Sequence, residues 1–128
     1  MPVCSLTQSV LRWPDPDQVM QATRHWAECQ AEVHPGLIAV GVYGSYGRGD
    51  AGVGSDLDLL LIDCNAHGLQ RERLPQWPLE QLPLSCDALI LTPEELQSIL
   101  VPAEGMPGRM GKALSHECRW LWERPDRG

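Results

Sequence analysis

Two aspartates placed two positions apart, Asp56 and Asp58, are the residues of this chain best suited to chemistry. In a β-strand, side chains alternate with a period of two, so both carboxylates stand on one face. Left alone they repel, and one of them tends to keep a proton. A divalent cation between the oxygens removes that conflict. Mg²⁺ suits the role, because it takes one or two carboxylates and completes its shell with water and substrate phosphates. Asp87 is the natural third member. It interrupts an otherwise apolar run, Leu84 to Leu91, where an uncompensated charge is costly. Taken singly, each of these residues has a plainer explanation. Asp56 reads as a turn or cap residue after Ser55, Asp58 as an exposed strand residue, and Asp87 as a partner for an arginine. Together, behind a Gly-Ser turn, they point to a metal site.

That turn is Gly44-Ser45, directly after the apolar run Leu37–Tyr43. Glycine allows a sharp turn and close approach of a ligand. A short helix starting at Ser45 turns its free N–H groups and the serine hydroxyl outward, where they suit a triphosphate. Arg48, three residues on, offers a charge-assisted contact. Its plainer reading is a solvated surface residue, as that of Ser45 is a simple cap. Gly44, Ser45, Arg48 and Ser55 are thus the candidate nucleotide-binding residues. Gly47 to Gly52 also fits the spacing GxGxxG, but that motif must open a crossover helix. Only a few residues separate it from Ser55-Asp56 and a strand, so it is set aside. Neither a Walker A sequence nor HExxH occurs, and His25, His34, His67 and His116 lack ligand spacing, as expected of surface or helix-end residues.

The elements that must position these groups follow from pattern and punctuation. Residues 1–14 read as an arm packing through Val10, Leu11 and Trp13. Asp15-Pro16-Asp17 reads as a capped helix start, and Val19, Met20, Trp26, Ala27 and Val33 continue at helical spacing until Pro35-Gly36. Buried strands are expected over Leu37–Tyr43, Leu57–Ile62 and Leu84–Leu91. Residues 65–83, with several prolines, read as an irregular connection holding one short helix. Thr92-Pro93-Glu94-Glu95 is a helix start, with a threonine cap and acids in the first turn. A helix near 108–116 leads to a fourth strand, Cys118 to Glu123, for which helix up to 123 is the alternative; 124–128 reads as a frayed tail.

Composition narrows the class. The 128 residues suit one domain, and 43% hydrophobic content suits one core. The net charge is −7, with one lysine among ten basic residues, which disfavours extended contact with nucleic acid. Cys4, Cys29, Cys64, Cys86 and Cys118 are scattered and odd in number, as expected of buried free thiols in a reducing cytoplasm. The N-terminus lacks a signal-peptide pattern, and no apolar run is long enough to span a bilayer. Trp120 is expected in the core, while Trp77 and Trp122 fit either core or interface.

Val42-Tyr43-Gly44-Ser45, ten residues, Asp56-Leu57-Asp58-Leu59, and then Cys86-Asp87-Ala88 on a later strand resemble the polymerase-β-like nucleotidyltransferase superfamily. The small size is similar to its minimal group, which includes the antitoxins of toxin–antitoxin pairs whose toxins are HEPN ribonucleases. The resemblance covers 37–91 well and 117–123 loosely. It implies an α/β fold, a mixed sheet of about four strands flanked by helices, over a single domain 1–128. It implies two Mg²⁺ ions on Asp56 and Asp58, with Asp87 as third ligand or general base, and ATP as substrate. The group moved would be AMP or another NMP, passed to a hydroxyl on a partner protein, with a HEPN-type toxin as the expected acceptor. The larger relatives' helical domain is missing after residue 128, so the acceptor side is expected from a partner or a second copy, in a homo- or hetero-oligomer. Two alternatives stand beside this reading: a non-catalytic antitoxin that binds its partner, and a transferase for small molecules or RNA. The Asp-x-Asp of glycosyltransferases is a mimic on usually longer chains. Base preference and acceptor stay open.

Overall fold

The computed structural model describes residues 15–52 and 54–125. The proposed arm, residues 1–14, lies outside the described residues. Helix α1, Pro16–Val33, begins as its sequence suggests, with Asp15 at the cap and Pro16 in the first turn, although the Asp15 side chain makes no capping bond. Its buried face is Val19, Thr23, Trp26, Ala27 and Gln30. Val33 shares the spacing of that face but sits in the last turn of the helix and is exposed.

Strand β1, Leu37–Tyr43, runs into the five-residue helix α2, Gly44–Arg48. Strand β2 is Leu57–Asp63. The connection that follows holds α3, Gln70–Arg73, and two short 3-10 turns, Leu74–Gln76 and Leu79–Gln81. Strand β3 is Cys86–Leu91, beginning two residues later than the apolar run that starts at Leu84. Helix α4, Pro93–Leu100, has the expected cap: Glu95 N–H donates to Thr92 Oγ1 at 3.1 Å and Thr92 N–H to Glu95 Oε1 at 3.0 Å. Helix α5, Arg109–Glu117, leads into β4, Arg119–Glu123, a strand and not a continued helix.

The sheet order is β3-β2-β1-β4. β2 and β3 are parallel, while β1 is antiparallel to both β2 and β4, so the sheet is mixed. Both faces are covered. On one, α1 and the 65–83 connection pack through Val19, Trp26, Ala27, Trp77 and Leu82 on Val40, Val42, Leu57, Leu59, Leu61 and Ile90. On the other, α4 and α5 pack through Leu96, Ile99 and Leu114 on Ala39, Leu60, Ile62 and Leu91. Period-two alternation divides the strand residues between these layers. Trp77 is buried, stacks on His34 with ring centroids 3.9 Å apart, and lies 6.4 Å from Trp26.

Three expectations need correction. Trp120 is not a core residue but 40% exposed. It sits opposite Gly41 on the edge strand, where the β1–β4 register shifts, and among the described residues no strand lies beyond it. Cys29 and Cys64 are exposed thiols; Cys86 and Cys118 are half-buried. Burial pushes the Cys86 thiol up to about 12, with nearby Asp87, Asp58 and Asp56 adding to it, and the Cys118 thiol up to about 11. The chain does not fray at Arg124. Its guanidinium donates to the carbonyls of Leu37 at 2.8 Å, Ala31 at 3.0 Å and His34 at 3.3 Å, serving the C-terminal end of α1.

Candidate active site

The sheet brings the carboxylates together at the edge where β2 and β3 begin. In the parallel register Asp58 lies directly beside Asp87, and in the antiparallel register it faces Tyr43. Three adjacent strands therefore contribute Tyr43, Asp58 and Asp87 to one row. Asp56, two residues before Asp58, precedes the strand and is exposed. Leu57 and Leu59 point the other way and are fully buried, which pins the register of the strand.

The electrostatics carry the mark of this crowding. Burial raises the Asp58 carboxyl above its ordinary value, and Asp87 and then Asp56 raise it further, against a smaller opposing pull from Arg48. The Tyr43 hydroxyl is likewise raised, first by burial and then by Asp58 and Asp87. Like charges held beside one another are the chemistry of a cation site. Among the described residues, no three His, Cys, Asp or Glu side chains are closed around a common point. The row therefore offers carboxylate oxygens side by side on two strands, with Asp56 nearby and no closed ligand shell among the described residues.

Helix α2 frames the site through two glycines. Gly44 has φ +70°, and a Cβ there would lie 2.5 Å from Asp58 Oδ2. Gly47 has no room for a Cβ either, since it would collide with the carbonyl of Glu117. The loop is thereby pressed between the carboxylate row and the end of α5. Arg48 points into this corner, donating from Nε to Asp50 Oδ2 and from Nη1 to Glu117 Oε1, both at 3.2 Å. It is engaged in ion pairs, not simply solvated. Ser55 closes the glycine-rich loop: its hydroxyl accepts from Gly52 N–H and its own N–H donates to Gly52 O, each at 3.0 Å. Gly52 is followed by no crossover helix, in keeping with setting aside GxGxxG.

Asp56, Asp58, Asp87, Gly44 and Arg48 are therefore assembled at one end of the sheet. Ser45 follows Gly44 in α2, while Ser55 acts first on its own loop. Sequence reasoning missed Tyr43 as a neighbour of the carboxylates, and Asp50 and Glu117 as partners of Arg48. Strand alternation offered a signal for Tyr43. Nothing local offered one for Glu117, 69 positions from Arg48.

The family description "Nucleotidyltransferase domain" matches residues 23–105, which span from within α1 to the loop after α4. No curated protein matches the chain. Among solved structures, one described as a nucleotidyltransferase from Sulfolobus solfataricus superposes with a TM-score of 0.61 at 18% identity, over 85% of this chain and 84% of that one. A second, described as a toxin–antitoxin with AMP-PNP, superposes with a TM-score of 0.52 at 17% identity, over 79% of this chain and 73% of that one. Both share the fold. The matched stretch contains the Gly-Ser turn and all three carboxylates, and the chain belongs to the nucleotidyltransferase domain family, whose members are nucleotidyl-transferring enzymes.

Proposed function

We propose that residues 1–128 form one Mg²⁺-dependent nucleotidyltransferase domain that moves AMP from ATP to a hydroxyl on a partner protein in the cytoplasm. The observation that carries this reading is the side-by-side register of Asp58 and Asp87, with Asp56 two residues away and Gly44 holding the chain open beside Asp58 Oδ2. When bound, Mg²⁺ supplies Lewis acidity and neutralises charge on the triphosphate. Asp56 and Asp58 hold it, with Asp87 as third ligand or base. Gly44 gives the triphosphate room, and the Ser45 hydroxyl donates to it. Arg48 exchanges a carboxylate partner for a phosphate oxygen. The acceptor oxygen attacks the α-phosphorus and forms the new O–P bond. The bond to the bridging oxygen breaks, pyrophosphate leaves, and Asp87 takes the acceptor's proton.

An antitoxin role, with a HEPN-type toxin as acceptor, is supported by the likeness to the toxin–antitoxin structure described with AMP-PNP. Among the described residues no helix is long and apolar enough to cross a membrane. The test is incubation with ATP labelled at the α-phosphate, Mg²⁺ and the product of the neighbouring gene. Label on that product, lost when Asp56 and Asp58 become Asn, supports the reading. No label, together with unchanged inhibition of the partner by the Asn variant, would leave a binding module in place of an enzyme.

A further inference from the structure

Two carboxylates share Arg48, and they reach it from different parts of the fold. Arg48 is the last residue of α2. Just beyond it the N–H groups of Gly49 and Asp50 both donate to Ser45 O at 3.0 Å, so the chain turns back and brings Asp50 alongside Arg48. The Asp50 carboxylate accepts from Nε at 3.2 Å. The second carboxylate is that of Glu117, the last residue of α5, which accepts from Nη1 at 3.2 Å. The third guanidinium nitrogen, Nη2, has no acceptor among the described residues.

The two partners differ in how firmly they are placed. The Asp50 side chain stands in the glycine-rich loop and is 62% exposed, whereas that of Glu117 is 27% exposed. Glu117 is also seated through its backbone, since its carbonyl fills the space that a Cβ on Gly47 would need. That contact fixes the end of α5 one residue before Arg48. The partners differ again in the part of the guanidinium they occupy. The Nε–H and Nη2–H bonds run parallel along one edge, the fork that takes two oxygens of a phosphate. Asp50 covers half of that edge, and Glu117, on Nη1, leaves it clear. Arg48 meanwhile acts on the carboxylate row, where it opposes the upward push on Asp58.

We infer that Glu117 is a positioning residue for the triphosphate, and that Asp50 is the carboxylate Arg48 gives up when the triphosphate binds. Glu117 stays on Nη1 and orders the long arginine side chain beforehand, so the ligand does not have to. Release of Asp50 opens the Nε–Nη2 edge to two oxygens of one phosphate. The inference rests on the reading of Arg48 as a triphosphate ligand and adds what sets its geometry. Charge alone predicts something different. Both carboxylates repel an anion, so neutralising either one would tighten binding. Positioning reverses that sign at Glu117 and keeps it at Asp50.

The test is calorimetric titration of Mg²⁺-ATP into the full chain and its variants. Glu117→Gln keeps the length of the side chain and the backbone seat on Gly47 and removes the charge. It should bind about threefold more weakly than the wild type, while Asp50→Asn binds about twofold more tightly. In an Arg48→Met background Glu117→Gln should have no further effect, because Glu117 acts through Arg48. Binding by Glu117→Gln that is as tight as the wild type or tighter overturns the inference. So does a loss that persists without Arg48, or an equal loss in Asp50→Asn. Label transfer from α-labelled ATP to the neighbouring gene's product separates the two readings. The predicted pattern of affinities without transfer contradicts the transfer reading and spares the positioning of Arg48. Transfer with unchanged affinity in Glu117→Gln contradicts the positioning and spares the transfer reading, and a wild type that does not bind Mg²⁺-ATP contradicts both.

Discussion

The two ends of the sheet handle buried and half-buried charge in opposite ways. At one end Asp58 stands beside Asp87 and near Asp56, and its carboxyl is raised. At the other, Arg73 is only 6% exposed, yet each of its three guanidinium nitrogens has an acceptor. Its Nη1 and Nη2 reach Glu95 Oε1 and Oε2 at 2.8 and 3.0 Å, Nη1 reaches Ile90 O at 2.6 Å, and Nε reaches Gly68 O at 3.1 Å. The Arg73 hydrogen bond, followed by the N–H of Thr92, holds the Glu95 carboxyl down at about 2. Gln70 adds a reciprocal pair of bonds to Ile90, so the β3 edge is covered. One end resolves its charges within the chain, and the other leaves like charges for something else to resolve. A cavity lined by His34, Asp63, Asn65, His67 and Trp77 also lies at the self-satisfied end, away from the carboxylate row. Concavity alone is therefore a poor guide to the chemistry here; uncompensated charge is the better one.

The contrast breaks most visibly under substitution. Asp58→Asn should lower nucleotidyl transfer by about a thousandfold, matching the several kcal/mol that a bound metal contributes to the transition state. It should leave the far-UV circular dichroism spectrum unchanged and slightly raise the metal-free melting temperature, since a repulsion is removed. Arg73→Met should do the reverse. It strips the Ile90 carbonyl and Glu95 of a buried partner and should cost about 3 kcal/mol in urea unfolding. At a temperature where the variant stays folded, transfer should persist.

A smaller effect is expected from the α2 glycines. Gly44→Ala places a Cβ against Asp58 Oδ2 at a positive φ, so the affinity for Mg²⁺-ATP should fall about tenfold or more in a titration. Smallest is the pH effect at the paired end. The Glu95 carboxyl is lowered in the folded chain, so its contribution is present above the ordinary glutamate range and fades as pH falls toward about 2. The difference in melting temperature between wild type and Glu95→Gln should shrink across that window. A constant difference would mean that Glu95 acts through packing and not through charge.

Much of this was legible beforehand because the signals are local. The Thr92–Glu95 box, the apolar runs of β1 and β2, and the Asp56/Asp58 alternation each depend on residues within a few positions of one another. What the sequence did not disclose depends on assembly. Trp120 lost its expected burial because β4 is an edge strand, and a pattern of alternating residues does not say which strand lies outermost. Arg124 gained its order from carbonyls presented by α1, about ninety positions earlier. Glu117 met Arg48 only because Gly47 lets the end of α5 close on the loop. Asp87 was legible as a third carboxylate, but only the parallel pairing shows that it stands directly beside Asp58.

The central claim is that the carboxylate end is completed by a metal and a nucleoside triphosphate. Isothermal titration of ATP, with and without Mg²⁺, into the wild type and into the Asp56→Asn, Asp58→Asn double variant tests it most directly. Binding that requires Mg²⁺ in the wild type and vanishes in the double variant is the predicted result. Binding of equal strength in both proteins, or binding indifferent to Mg²⁺, would contradict it.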